Sequence, residues 1–463
     1  MIDLVFLAFI GFILLLGVRR PFLWVLLYVY IDILAPQRIG YGIITSVPVS
    51  LIAFMAAFGG WLILDRKAGA RFTLRQALLA ALLLYCWWTT GHADFPDEAA
   101  TKWDWVWKAL LFAIFLPLTL TTRARLEALA LMLVLSVATI VIGTGMKTVL
   151  GGGGYENLHF YVNDNSGIYE SSTLATVAIA LIPLIAWFTR HGTIFRPDWR
   201  VTAFAVLLIF ACLLVPIGTE ARTGLVCIAA LGLLLVRYVK RRAVFIAGGA
   251  ALALAALPFL PPSYYERMAT ITAPGGDESA STRVAVWQWT LDYAAQNPWG
   301  GGFDSYRGNS FTYVMPVETG SGASTAVQYR EVTDEARAFH SSFFEVLGEQ
   351  GYPGLAIWLA LHALGLWQME RIRSRWRSKD AQPDEREAWI APLAVALQLA
   401  SLIYLVGALF QGIAYQPVML MLIGLQIGLN SYCKRLDSAR AKLAQHTPSA
   451  QAAQSPQRGA VTA

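Results

Sequence analysis

About a dozen apolar runs, interrupted late in the chain by one long polar segment from Pro261 to Phe339, constrain this sequence more than any motif does. About 20 apolar residues in an α-helix cross the roughly 30 Å of bilayer hydrocarbon, because every backbone polar group is satisfied inside the helix. The runs fall at 3–18, 20–36, 44–64, 75–92, 104–121, 126–148, 168–189, 200–217, 221–237, 243–260, 341–369, 388–411 and 417–432. The first two are short, so about twelve true spans are expected in an all-α polytopic membrane protein. Hydrophobic residues make up 56% of the chain and charged ones only 14%, which excludes an ordinary soluble domain. Four regions follow: N-terminal transmembrane helices over 1–260, an outer subdomain over 261–340, C-terminal helices over 341–433, and a polar cytoplasmic tail over 434–463, disordered after about Leu443.

Lys and Arg set the orientation, since loops that stay on the cytoplasmic side retain them. Clusters at Arg66/Lys67/Arg71/Arg75, Arg123/Arg125, Arg190/Arg196/Arg200, Arg237/Lys240/Arg241/Arg242, Arg371/Arg373/Arg375/Arg377/Lys379 and Lys434/Arg435/Arg440/Lys442 occupy every second loop. The 261–340 segment, and the loops near 93–103, 150–167, 218–224 and 412–416, therefore face away from the cytoplasm. The net charge of +6 is cytoplasmic anchoring near anionic lipid headgroups, and no nucleic-acid-binding pattern is present. Cys86, Cys212, Cys227 and Cys433 lie in or beside apolar runs without C-x-x-C spacing, so they are expected to pack rather than to bind zinc or form a disulfide framework. The first run leads into Arg19-Arg20-Pro21 without a small-residue cleavage site and is expected to remain in the mature protein.

Basic residues on the outer side are the ones the orientation rule leaves unexplained: Arg38, Lys102, Lys108, Lys147, Arg222, Arg267, Arg283, Arg307, Arg330 and Arg337. Arginine there suits a phosphate-bearing ligand, because its planar fork gives bidentate charge-assisted bonds and stays protonated. Arg222, in Gly218-Thr219-Glu220-Ala221-Arg222-Thr223-Gly224, sits in a break too short for a free loop and hence at the membrane edge. It is either an anion clamp or the partner of Glu220, or it snorkels to the interface. Arg283 follows Ser281-Thr282, candidate N-caps of an amphipathic helix that ends before Asn297-Pro298. In a first turn it would add its charge to outward-pointing backbone N–H groups, a phosphate site; the plainer alternative is a solvated arginine. His340, with Ser341, opens the next long helix and is either a general base at the outer boundary or an interfacial hydrogen-bonded histidine. His92, His159, His191, His362 and His446 supply no H-x-x-x-H or H-E-x-x-H spacing, so no metal and no other cofactor is expected. Gly151 to Gly154 with Asn163-Asp164-Asn165 is a flexible loop without the Gly-Lys-Ser/Thr of a phosphate loop; it gates a lipid entrance or only connects helices.

The Ala-Arg-Thr-Gly break, the late outer loop carrying Thr282-Arg283-x-x-x-Trp287 and Asn297-Pro-Trp-Gly-Gly-Gly-Phe303, and the closing His340-Ser-Ser-Phe-Phe-Glu-Val-Leu-Gly-Glu-Gln-Gly351 together resemble the O-antigen ligase family. That superfamily also holds O-antigen polymerases and protein O-oligosaccharyltransferases. The specific motifs cover about 218–224 and 281–355, while span count and loop placement are similar over most of the chain. The opening Met1–Lys67 region and the Gly-rich loop are also similar to putative O-glycosylation ligases found beside exosortase systems. The resemblance implies a GT-C-like helical fold in a bacterial inner membrane, with the active site on the periplasmic side. It implies a donor glycan on undecaprenyl diphosphate, transferred to lipid A–core, or to protein Ser/Thr or a growing glycan. By position it makes Arg222 and Arg283 the diphosphate-binding arginines and His340 the catalytic histidine. Arg267, Arg307, Arg330 and Arg337 are further candidates for the cavity wall. A transporter of the same lipid-linked glycans is the competing class, and would place charges near the midplane and repeat its halves. No clear repeat is visible, and most outer charge is gathered in one late loop.

Overall fold

The computed structural model describes residues 2–36, 42–65, 69–151, 167–257, 278–319, 326–377 and 387–446, with the single positions 67 and 265. Each of the apolar runs contains helix. In chain order these are α1 (Ile2–Arg19), α2 (Phe22–Leu34), α3 (Ile43–Ser46), α4 (Val49–Ile63), α5 (Leu74–Thr90), α6 (Pro96–Thr119), α7 (Arg123–Gly151) and α8 (Ser171–His191). There follow α9 (Trp199–Gly218), α10 (Arg222–Val236), α11 (Arg242–Ala256), α12 (Glu278–Gln296), α13 (Ser342–Arg377), α14 (Ile390–Ala408) and α15 (Pro417–His446). Among the described residues, α7, α8, α9 and α14 are each long and apolar enough to cross a bilayer, and α2, α4, α10 and part of α11 are shorter apolar helices. The chain is a multi-pass membrane protein. α8 is central, with 78% of its apolar stretch buried, whereas α9 at 33% turns most of its surface outward.

Local chemistry sets the helix ends. Thr73 and Gln76 form a reciprocal capping box at α5, and Pro96, followed by Asp97 and Glu98, opens α6 where a missing N–H and negative charge are both favourable. Pro48 splits the run expected over 44–64 into α3 and α4. The ends carrying the basic clusters are pinned by ion pairs between elements: Arg125 with Asp65 at 2.7 Å, Arg237 with Glu370 at 3.2 Å and Arg375 with Asp437 at 2.8 Å. The helix ends near residues 90–102, 167–172, 218–222, 340–345 and 408–417 form the opposite end of the bundle.

Three expectations change. Among its described residues the outer subdomain, expected to be mainly helical, carries strand as well as helix: Ser310–Thr319 (β1) and Ala326–Glu335 (β2) form an antiparallel hairpin, with Ser310 opposite Glu335 and Thr319 opposite Ala326. Val, Thr, Tyr and Phe make up six of the ten residues of β1, and β2 carries Val, Tyr and Thr at four of its ten; these side chains fit a pleated strand better than a helix turn. The helix carrying Arg283 begins at Glu278, so Arg283 lies in the second turn and the backbone N–H groups of the helix end do not reinforce it. Helix α15 continues to His446, into the segment expected as a disordered tail over 434–463, because Lys434 to Leu443 keeps good helix formers. The Gly-rich loop over 152–166 and Arg267 lie outside the described residues.

One backbone device positions the outer loop. Within α13, Gly351 has φ +61° and ψ −167°, and Pro353 follows, so the helix breaks there. Tyr352 N–H donates to the Pro298 carbonyl at 3.0 Å instead of to Gly348, and Pro353 has no N–H to give Glu349. The two freed carbonyls accept from the loop: Gly301 N–H to Gly348 at 3.0 Å and Gly302 N–H to Glu349 at 2.9 Å. Every orphaned backbone group is thereby satisfied in a buried seam. A Cβ on Gly351 would stand 2.3 Å from the Pro298 oxygen, and one on Gly300 2.5 Å from the Glu349 oxygen, which is why this crossing is built from glycine. Asn297-Pro-Trp-Gly-Gly-Gly and Gly348-Glu-Gln-Gly are therefore two sides of one joint.

Candidate active site

The joint holds the N-terminal turns of α13 against the outer loop, and a cavity of about 360 Å³ lined by His340 opens above it. Its wall includes Arg283, Tyr306, Phe339, His340, Lys102, Glu170, Glu345, Glu349 and Gln411. Arg283 and His340, distant in sequence, meet because Trp287, one turn after Arg283, donates its indole N–H to the Phe339 carbonyl at 2.9 Å and stacks on Phe344 at 5.1 Å. His340 itself has φ +47°, a left-handed conformation uncommon for a residue with a Cβ. Its neighbours compel the turn. Ser342 Oγ donates to the Gln411 carbonyl at 2.8 Å and accepts from Ile413 N–H at 2.9 Å, fixing the head of α13, while Asn309 clamps Arg337 by two bonds of 2.7 and 2.9 Å.

Three carboxylates surround one lysine below the histidine. Lys102 Nζ lies 2.7 Å from Glu345, 2.6 Å from Glu349 and 3.6 Å from Asp304, and sits over the rings of Phe303 and Tyr415. Glu345 also accepts from Ala414 N–H at 3.1 Å, and Glu349 from Asp304 N–H at 3.0 Å. Sequence reasoning counted Lys102 only as one of the outer cations and passed over both glutamates. Their signal was present: Glu345 and Glu349 stand four apart in an otherwise apolar helix, so they share one face. Glu170 caps α8 by accepting from Ser172 and Thr173 N–H at 3.2 and 2.7 Å, and Gln411 donates to the Ser172 carbonyl and to Thr176 Oγ1, each at 3.0 Å.

Crowding by protein lowers the His340 pKa from its ordinary 6.5, the Arg283 charge lowers it further, Glu170 works in the opposite sense, and Arg337 adds a smaller lowering. The imidazole is thus neutral at pH 7 and able to accept a proton. Desolvation, then Asp304, raises the phenol pKa of Tyr306, so that wall stays an uncharged hydroxyl.

Arg222, Arg307 and Arg337 are not part of this wall. Arg222 opens α10 at the same end of the bundle but does not line the cavity. Five residues on, Cys227 Sγ lies 3.8 Å from Thr176 Oγ1, the same hydroxyl that accepts from Gln411, so α10 packs beside the helix that forms the wall. Arg307 pairs with Glu98 at 3.5 Å and Arg337 with Asp334; neither lines the cavity. Arg330 lies on β2 opposite Met315.

Residues 203–359, the stretch that carries Arg222, Arg283, His340 and both sides of the glycine joint, match the O-antigen ligase family. This stretch is an O-antigen ligase domain. Residues 1–193 match a family of unknown function, and they supply Lys102 and Glu170 to the cavity wall, to which the ligase-matching stretch gives Arg283 and His340 and the later 410–416 segment gives Gln411. No curated relative matches the chain. The match covers 203–359 of the 463 residues, and over that stretch it points to activity of the O-antigen ligase and polymerase type.

Proposed function

We propose that this protein is an O-antigen ligase of the Gram-negative inner membrane, moving glycan from undecaprenyl diphosphate to a hydroxyl of lipid A–core at the periplasmic face. The observation that supports this reading most is the meeting of His340 and Arg283 in one cavity, at the bundle end opposite the basic clusters. Arg283 binds the diphosphate through its guanidinium fork, and Arg222 assists from the head of α10. His340 accepts the proton of the acceptor hydroxyl as its oxygen attacks the anomeric carbon. The bond from that carbon to the diphosphate oxygen breaks, and the departing diphosphate keeps the electron pair and gains negative charge facing the arginines. A lipid diphosphate with its charge so balanced needs no metal, and a single displacement inverts the anomeric centre.

Transfer by the purified protein from polyprenyl-diphosphate glycan to lipid A–core lacking O-antigen, in the presence of EDTA, tests the reading. Transfer that survives EDTA and is lost in His340→Ala supports it, and a retained anomer in the product would exclude the single displacement. Transfer to protein Ser/Thr or to a growing glycan, with lipid A–core inert, would keep the chemistry and replace the acceptor.

A further inference from the structure

A second cavity, of about 390 Å³, adjoins the first and shares Gly167 and Gln416 with it as common wall. Its remaining lining comes from the end of α2, from α4, from α6 and from the start of α15, and it includes Asp32, Ser50, Asp104, Trp105 and Lys108. Nearly all of it, Gln416 and its two successors excepted, belongs to residues 1–193, the part that matches a family of unknown function. The volume lies within the range of about 300–1,000 Å³ usual for small-ligand sites.

The lining selects a ligand by exclusion and by fit. A lipid tail would strand the carboxylates, and a diphosphate would meet two aspartates against one lysine, Lys108, itself 3.0 Å from Asp104. A sugar ring offers hydroxyls that donate to carboxylates and accept from an ammonium, and an apolar C–H face that stacks on an indole. Asp32 is set for such a ligand: it lines the cavity, its protein partners are Tyr28, one turn earlier on α2, and Lys108, and two carboxylate oxygens offer more lone pairs than those two groups use. A ligand hydroxyl would fill the acceptor capacity that remains on the carboxylate. Tyr169 is committed elsewhere, donating to the Leu34 carbonyl at 2.6 Å, which ties the partition at Gly167 to α2.

We infer that this second cavity is a saccharide subsite, where Asp32 and Trp105 hold a sugar ring of the glycan whose reacting end lies at His340. The inference rests on the glycosyl-transfer reading above and gives the N-terminal region a role in choosing the glycan.

Calorimetric titration of the purified full-length protein in detergent tests it with two lipid-free probes. One is core oligosaccharide released from lipopolysaccharide by mild acid; the other is the glycan released by mild acid from its polyprenyl-diphosphate carrier. Wild type binds one of them, and Asp32→Asn and Trp105→Ala each weaken that binding at least about tenfold, the factor for losing one hydrogen bond to a charged group. Asp32→Asn keeps the side-chain shape, so folding is preserved. Binding of the core oligosaccharide assigns the subsite to the acceptor, and binding of the released glycan assigns it to the donor. Failure of both probes to bind, or binding unchanged in both variants, overturns the inference. His340-dependent transfer with unaltered saccharide affinity in Asp32→Asn would sink the subsite alone. Absent transfer in wild type, with saccharide binding still lost in Asp32→Asn, would sink the transfer reading and leave the subsite standing.

Discussion

Replacing Lys102 with Met removes the one cation that, among the described residues, pairs with Glu345, Glu349 and Asp304, and the structure sets what that should cost. Glu349 is fully buried, Glu345 is 7% exposed, and Lys102 is 14% exposed. Removing one member of a buried ion pair costs about 3–5 kcal/mol, because the remaining charge is left in a medium that cannot solvate it. Proton uptake by one glutamate relieves part of this, so the expected loss lies near the lower end, about 3 kcal/mol. Adding Glu349→Gln to Lys102→Met removes one stranded charge and should recover at least about 1 kcal/mol, although Glu349→Gln alone destabilises. The assay is unfolding of the purified protein by SDS titration in mixed micelles, with all three variants compared as a double-mutant cycle. A loss below about 1 kcal/mol in Lys102→Met, or strictly additive effects in the double variant, would refute the argument that this cluster is electrostatically coupled. Because Asp304 and the Gly300–Gly302 joint belong to the same cluster, the destabilised variants should also lose docking of the outer loop, seen as faster proteolysis between Asn297 and Asp304.

Four further outcomes follow from the geometry. Transfer activity should be level above pH 6.5 and fall as pH drops through the lowered His340 pKa; Arg283→Gln removes a positive neighbour, raises that pKa and moves the acid limb upward, which a pH–rate profile reads directly. Arg283→Lys keeps charge but loses the fork, and Arg283→Ala should reduce the rate by about 10²–10³, with Lys between, measured as kcat/KM for the lipid-linked donor. Gly351→Ala meets both φ +61° and a contact of 2.3 Å to the Pro298 oxygen, and should cost about 2–3 kcal/mol in the same SDS titration. Asn309→Ala breaks both bonds to Arg337 and should lower kcat more than it raises KM, since the strand that delivers His340 loses its clamp while the diphosphate site is intact; equal changes in both would count against a positioning role.

The apolar runs were legible because hydrophobic length is a local property: backbone satisfaction in hydrocarbon demands helix wherever the run is long enough, and every expected run contains one. The exceptions show what that logic omits. Val-, Thr- and Tyr-rich segments at 310–319 and 326–335 chose a hairpin, although the outer segment had been read as mainly helical. Arg283 moved into the second helical turn because the helix starts earlier than its best cap, Ser281 or Thr282, suggests. Position on the outer side made His340, Arg283 and Arg222 candidates, the family resemblance gave them roles, and the cavity wall contains the first two. Glu345 and Glu349 went unread as charges because their meaning depends on Lys102, which lies on a helix far away in the chain.

By itself, then, the sequence determined a multi-pass helical chain, the alternation of basic ends, and outer residue types fit for a phosphate-bearing ligand, all of which follow from local hydrophobicity and charge. Tertiary structure alone decided that the two glycine motifs form one joint, that one lysine answers three carboxylates beneath His340, and that a second polar cavity lies beside the first. Each of these depends on backbone hydrogen bonds or charges brought together from separate helices, and such closure is a property of packing that no local pattern encodes.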